Sequence, residues 1–283
     1  MGLGKMMNKN MNYYDKIELY NTLVNDVKRC PKLDKCNQVR GKNNIQLIKC
    51  DLCNEINLWT YWQGGRNNLD AAILLVGQDW GSYIDKDGKS LLNFISEREN
   101  DPEYPYIRAD DTPYKNPTDF NLMKLFDECL GVKIGREFVS NHNLFFTNFV
   151  LCYRNNGERI SGNFKKIWVD NCSEYFVRLV NIIEPKIVIC LGRNVFDSVL
   201  RAANVRIPKE KYNRIIESGC QRITIGNINC AVFPLAHCGT YGTHNRNRGQ
   251  KVNEDLKLQK QDWYRIKQYI DNHNIQIDDL KRI

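Results

Sequence analysis

The sequence has no apolar run long enough to cross a membrane and no recognisable secretory signal. Its longest apolar runs cover residues 71–76 and 187–191, whereas a membrane-spanning helix needs about 20 apolar residues. Residues 1–12 carry lysines but lack the apolar segment of a signal peptide. We therefore expect a cytoplasmic protein without a membrane partner, and we expect it to act as a monomer.

Internal repeats, low-complexity tracts and a phosphate-binding loop are also missing from the sequence. Because no glycine-rich loop ends in Lys and Ser or Thr, a zinc-stabilised nucleotide hydrolase lacks support. The 283 residues, 42% hydrophobic and 26% charged, fit one large α/β domain with additions or two small domains. The net charge of +8 favours a polyanionic partner such as nucleic acid, although a basic excess can serve solubility alone.

Short runs of almost continuous apolar residues occur at four places, residues 72–76, 144–151, 186–191 and 228–233. Such runs are typical of strands that are buried on both faces of a parallel sheet. Helical patterns separate or flank them at residues 13–28, 120–130, 165–183, 194–203 and 263–273. Asn194 is the expected N-cap of the fourth of these helices. The pattern predicts an α/β fold whose central four-stranded parallel sheet is flanked by helices (residues 69–283), preceded by a helix and a cysteine-bearing extension (residues 1–68).

Polar side chains follow three of the predicted strands. Asp79 comes after the first strand, Asn148 lies near the end of the second, and His237 follows the fourth. Each has an ordinary structural explanation, since an Asp between glycines often caps a helix and a lone His is often structural. Ligands of open parallel sheets bind outside the carboxyl ends of the strands. Three such side chains at three strand ends therefore predict a site at this edge.

The same segments resemble the motifs of uracil-DNA glycosylases. Residues 73–81, Ile-Leu-Leu-Val-Gly-Gln-Asp-Trp-Gly, are similar to the first motif of that superfamily. Thr-Asn-Phe-Val-Leu-Cys at 147–152 and Glu-Pro-Lys-Ile-Val-Ile-Cys-Leu-Gly at 184–192 resemble segments of its iron–sulfur branch, family 4. His237 matches the histidine of the final motif. Trp80 and Cys238 stand where the family usually has Pro, and this leaves the identity of the excised base open.

The resemblance implies a uracil-DNA glycosylase-like fold, DNA as the partner, and hydrolysis of the N-glycosidic bond of uracil or a related or modified base. Asp79 would stabilise the sugar cation, His237 would hold a base oxygen, and Asn148 would read the base edge. Further positions implied for base binding are Gly77, Gln78, Trp80 and Gly81, with Tyr114 and Phe120 as candidates for stacking. The basic, glycine-containing run after His237 is suited to DNA, or is an ordinary solvated loop; its candidates are Gly239, His244, Arg246 and Arg248. A non-catalytic or defence-related protein that binds or excises a modified base is the alternative.

Eleven cysteines in a cytoplasmic chain argue against a disulfide framework. By resemblance to family 4, a four-iron four-sulfur cluster would be held by Cys50, Cys53, Cys152 and Cys172. Thiolates also suit zinc, which is the alternative metal. Two further alternatives stay open, namely that Cys50 and Cys53 are unligated, and that Cys30 and Cys36 are the competing pair.

Overall fold

A five-stranded sheet organises the chain in this computed structural model, which describes residues 11–38, 47–48, 68–79, 117–131, 143–154, 165–247 and 256–277. The strands in these ranges are β1 (Leu47–Ile48), β2 (Ile73–Gly77), β3 (Leu144–Asn148), β4 (Tyr153–Arg154), β5 (Ile187–Leu191), β6 (Gln221–Ile225) and β7 (Ile228–Leu235). Strand order in the main sheet is β3-β2-β5-β7-β6, and β1 pairs separately with β4.

The four predicted strands form the parallel part of the sheet. β2 pairs with β3 and β5, and β5 pairs with β7, all in parallel register. This confirms the predicted α/β fold with its parallel centre. The sheet also has a fifth strand, because β6 runs antiparallel to β7 across a two-residue turn at Gly226 and Asn227. Gly226 has a φ of +60° there, a conformation that glycine adopts without steric cost.

Helices cover both faces of the sheet. They are α1 (Tyr13–Lys28), α2 (Leu33–Gln38), α3 (Pro117–Leu125) with a π-helical turn (Phe126–Leu130), α4 (Lys166–Ile183), α5 (Arg193–Ala202), α6 (Tyr212–Glu217), α7 (Thr240–Arg246) and α8 (Lys257–Asn272). One apolar core joins α1, α4 and α5 to one face of the sheet, and a second joins α3 and α8 to the other. None of the described helices is long and apolar enough to span a bilayer.

The N-terminal helix shares the core of the sheet. Asn12 caps α1 by accepting a hydrogen bond from the backbone N–H of Asp15. On its buried side, Lys16 forms ion pairs with Asp70 at 2.8 Å and Glu184 at 3.2 Å. Tyr20 is fully buried in the core that α1 shares with α4 and β2. Helix α1 is therefore held against the sheet, whereas the expected domain boundary after residue 68 stays a prediction.

Candidate active site

The turn after β2 is fixed to the segment after β3. Gly77 lies opposite Asn148 in the parallel register, and the backbone N–H of Phe149 donates to the Gly77 carbonyl over 3.0 Å. The N–H of Val150 donates to the carbonyl of Gln78 over 3.1 Å. A Cβ at Gly77 would lie 2.2 Å from Oδ1 of Asn148. Because only glycine lacks a Cβ, it alone leaves room for the Asn148 amide across the turn.

Asn148 presents its side-chain amide at the carboxyl end of the sheet. The residue is 4% exposed. Within the described ranges, no side chain or backbone group forms a hydrogen bond with its amide. The amide is also not one of the polar atoms there that are fully buried without a hydrogen-bond partner. An amide has both donor and acceptor capacity. Asn148 can therefore form hydrogen bonds with a ligand at this edge.

Gln78 holds the carboxylate of Asp79. Its Nε2 donates to Oδ2 of Asp79 over 3.0 Å, and its Oε1 accepts from Nδ2 of Asn194 over 3.4 Å. Asn194 thus fixes which end of the Gln78 amide faces the carboxylate. The expectation that Asn194 caps α5 is wrong, because the N-cap is Gly192, whose φ of +99° turns the chain into the helix. The sequence signal for this relay was only the polar residue that follows β5.

His237 follows β7 and lies close enough to Asp79 for their charges to interact. Burial lowers the pKa of His237, and the Asp79 carboxylate partly opposes this shift. The backbone N–H of Gly239 donates to Nδ1 of His237 over 3.0 Å. Since Nδ1 accepts this bond, the proton of the neutral ring is on Nε2. His237 is therefore arranged as a neutral donor through Nε2.

The backbone around His237 is closely packed. A Cβ at Gly242 would lie 2.0 Å from the carbonyl oxygen of His237, and Nε2 of Gln259 donates to the same oxygen over 3.3 Å. Helix α3 packs against the next residues, because Nδ2 of Asn121 donates to the carbonyl of Cys238 over 2.7 Å. The Cys238 side chain is fully buried in the core between α3 and the sheet. These contacts from α3, α7 and α8 restrict the position of the imidazole.

The expected stacking residues are only partly described. Phe120 lies on α3 and is 58% exposed, one residue before the asparagine that binds the Cys238 carbonyl. Trp80, Gly81 and Tyr114 lie outside the described residues. Their expected roles therefore stay predictions.

The expected DNA-binding residues differ in their surroundings. Gly239 is the N-cap of α7, and His244 is exposed on that helix. Arg246 differs from the expectation, because its guanidinium is buried and forms a two-pronged ion pair with Asp262 at 2.7 and 3.0 Å. It fastens α7 to α8 instead of facing solvent. Arg248 lies beyond the described part of this segment.

Tyr241 is a surface residue that the sequence patterns did not single out. It lies on α7, four residues after the half-buried His237, and is 77% exposed. A single exposed aromatic side chain is ordinary on a protein surface, so Tyr241 is a candidate for ligand contact because of its place on α7 after His237. Its position immediately after the final motif was the available signal.

Four cysteines lie where α1, α2 and α4 meet the segment after β3. Burial raises the pKa of Cys172 to about 12, with contributions from Cys36 and Cys30. Cys152 directly follows Leu151, whose backbone is hydrogen-bonded to Cys172. Cys36 accepts a hydrogen bond from Nδ2 of Asn171 over 3.2 Å. Cys50 and Cys53 of the expected ligand set lie outside the described residues. Within the described ranges, no three Cys, His, Asp or Glu side chains converge closely enough to hold a metal ion.

Comparison with known sequences establishes the family. The sequence model of the uracil DNA glycosylase superfamily matches residues 65–257, which include Asp79, Asn148 and His237. The chain belongs to the uracil DNA glycosylase superfamily. A type-4 uracil-DNA glycosylase from Saccharolobus solfataricus is 23% identical over 170 residues, and the match covers 58% of this chain and 63% of that relative. The predicted superfamily is thereby confirmed, and the relative is a type-4 enzyme, as the motifs at 147–152 and 184–192 indicated.

Proposed function

We propose that the protein is a DNA glycosylase that hydrolyses the N-glycosidic bond of uracil or a related base in DNA and leaves an abasic site. The observation that carries the proposal is the meeting of Asp79, Asn148 and His237 at the carboxyl edge of the sheet, with an electrostatic interaction between Asp79 and His237. Membership of the uracil DNA glycosylase superfamily supports the same reaction class.

Breaking an N-glycosidic bond places positive charge on the sugar and negative charge on the departing base. The electron pair of the bond leaves with the base, one water adds its oxygen to the sugar carbon, and a proton from that water neutralises the base. Fixed charges and dipoles stabilise such a transition state most when they need no reorganisation. Asp79, held by the Gln78 amide, supplies the negative charge near the sugar and orients the water.

His237 supplies the donor on the base side. Its ring receives the Gly239 N–H at Nδ1 and so directs the Nε2–H outwards. Because burial lowers its pKa, the ring is neutral at neutral pH, and a neutral donor strengthens its hydrogen bond as charge grows on the base oxygen. The backbone N–H at Gln78 would assist at the same oxygen.

Asn148 selects the base. The edge of uracil offers an acceptor oxygen next to an N–H donor, and the Asn148 amide offers the complementary donor and acceptor. Hypoxanthine presents a similar pair, so the amide alone admits more than one base. Trp80 and Cys238 occupy positions where relatives usually have Pro, so they bear on this choice.

The DNA would lie across α7. The net charge of +8 favours phosphate contacts, with His244 and Arg248 as candidates on this side. A base must leave the stack before its glycosidic bond can be reached, and an inserted side chain can fill the gap. Tyr241 is suited to that insertion because it is exposed beside His237. Arg246 is left out of the proposed surface, since its guanidinium is paired with Asp262.

A four-iron four-sulfur cluster is part of the proposal, with zinc as the alternative. Its chemistry here would be structural, tying α1 and α2 to α4. Thiolates are the ligands that such a cluster needs, and Cys30, Cys36 and Cys172 are near enough to interact electrostatically, while Cys152 is adjacent in the chain to the residue that bonds Cys172. This grouping favours Cys30 and Cys36 as the second pair.

The two cysteine pairs can be compared directly. Iron and sulfide content and visible absorbance are measured for Cys30→Ser with Cys36→Ser and for Cys50→Ser with Cys53→Ser. We expect the first double variant to lose the cluster and the second to keep it. The reverse result would assign the cluster to Cys50 and Cys53, and a colourless wild type carrying zinc would exclude iron.

The proposed reaction is tested with purified protein and oligonucleotides that contain uracil, hypoxanthine, a thymine mismatch or a modified cytosine. Alkali-labile abasic sites and the released base are measured for each substrate. We expect abasic sites in the uracil substrate or in one of the others. Tight binding of every substrate without base release would contradict the enzymatic proposal and support a non-catalytic binder.

A further inference from the structure

A cavity lies at the end of the sheet opposite the candidate active site. Its volume is about 810 Å³, within the range of small-molecule sites. Ala72, Lys186 and Ala231 line it. Ala72 and Lys186 directly precede β2 and β5, and Ala231 of β7 lies opposite Ile187, the first residue of β5. The catalytic candidates follow the carboxyl ends of strands, so the two sites are separated by the length of the sheet.

The cavity is cationic. Lys186 and Arg222 both contribute to its wall, and the described lining includes no acidic side chain. In the described part of the chain, neither cation forms an ion pair with a carboxylate, in contrast to Arg246 in its buried pair. Two cations that share one concave wall without a counter-charge favour an anionic ligand.

Arg222 is held in place without losing its charge. Its guanidinium contacts Nε2 of His273 and lies 5.6 Å from the ring centre of Tyr269. Nδ1 of His273 lies 2.9 Å from the carbonyl of Tyr269; since a carbonyl can only accept, Nδ1 carries the proton and Nε2 accepts from Arg222. The Tyr269 and His273 rings are stacked at 3.9 Å. The guanidinium therefore keeps N–H groups in a fixed orientation for a ligand.

We propose that this cavity binds the phosphate group of a nucleotide-sized ligand. An oriented guanidinium binds phosphate through paired hydrogen bonds, and a nearby ammonium adds charge. The volume leaves room beyond a phosphate. In the wall, Oγ1 of Thr224 donates to Oδ1 of Asn229 over 2.6 Å, which leaves Nδ2 of Asn229 to donate to a sugar hydroxyl. The site is independent of the glycosylase reaction.

Histidine side chains allow a direct test on the full-length protein. The chain has four histidines, of which His273 lines the cavity, while His237 and His244 lie on the side of the candidate active site. Ring signals in ¹H–¹⁵N spectra, assigned with His→Gln variants, are followed during addition of deoxyadenosine monophosphate, inorganic phosphate or deoxyadenosine. We expect saturable shifts of His273 with the two phosphates and none with deoxyadenosine.

Substitutions separate this site from general attraction to a basic protein. Lys186→Met and Arg222→Met should each weaken the phosphate-dependent effect about tenfold or more, because each removes a charge-assisted hydrogen bond. For Arg222→Met the affinity is read by calorimetry, since this change also alters the surroundings of His273. Arg214→Met is the control, because Arg214 is exposed on α6 and does not line the cavity. Shifts confined to His237 or His244, or equal weakening in the control, would overturn the proposal.

Discussion

Replacing Gly77 with Ala tests the geometry of the candidate site with a single methyl group. The new Cβ would lie 2.2 Å from Oδ1 of Asn148, whereas ordinary contacts begin near 3.4 Å. Gly77 does not have a positive φ, so alanine can adopt its backbone conformation, and the strain falls on Asn148. The amide must therefore move by about 1 Å, a displacement that can cost about 100-fold in rate. Overpacking should also lower the free energy of unfolding by about 1–3 kcal/mol.

Gly226→Ala is a matched control for the loss of stability. A Cβ at Gly226 would lie 2.4 Å from Oδ1 of Asn181, and its φ of +60° adds backbone strain. The hairpin that contains it lies away from Asp79, so this variant should lose stability but keep its activity per folded molecule. Single-turnover excision is measured at a temperature at which circular dichroism shows both variants folded. Wild-type excision by Gly77→Ala, or an equal loss in Gly226→Ala, would refute the assigned role of Asn148.

Three other perturbations test separate parts of the site. Burial lowers the pKa of His237 from 6.5, so the unfolded chain binds a proton at a higher pH than the folded protein does. Urea unfolding should therefore show that the wild type loses stability more steeply below pH 6.5 than His237→Gln does. Parallel curves of unfolding free energy against pH for the two proteins would contradict this. Arg246→Met removes the two-pronged partner of the buried Asp262 carboxylate and leaves it Arg265 at 3.2 Å, so it should lower the unfolding free energy by about 3 kcal/mol, with an unchanged salt dependence of DNA binding. Asn194→Ala removes the hydrogen bond to Oε1 of Gln78 and should slow single-turnover excision about tenfold without weakening DNA binding; weaker binding at an unchanged rate would argue against the relay.

The sheet was predictable because its central strands are buried on both faces. Residues 73–77 and 187–191 are fully or almost fully buried, and their sequences are apolar because both faces of each strand are covered. Strand β6 lacks such a run, since its residues at the sheet edge alternate between half-buried and exposed and only the last, Ile225, is buried. The Gly226-Asn227 turn between two β-rich segments was the signal that could have identified it.

The candidate site was predictable in position but not in its internal bonds. Asp79, Asn148 and His237 follow from strand ends, because the topology of a parallel sheet brings those ends together. The pairing of Arg246 with Asp262 depends on how α7 packs on α8, and local charge does not reveal it. Similarly, the spacing of Cys50 and Cys53 drew attention in the sequence, whereas the proximity of Cys36 to Cys172 depends on packing of α1 and α2 against α4.

Asp79 is the residue that the proposed removal of a base from DNA depends on most. The most direct measurement is the release of free uracil from an oligonucleotide with a single uracil, by wild-type protein and by Asp79→Asn, together with DNA affinity. We expect free base and abasic sites in equal amounts from the wild type. The variant should release base at a rate at least about 100-fold lower, at similar DNA affinity. Equal release rates for the two proteins would contradict the account.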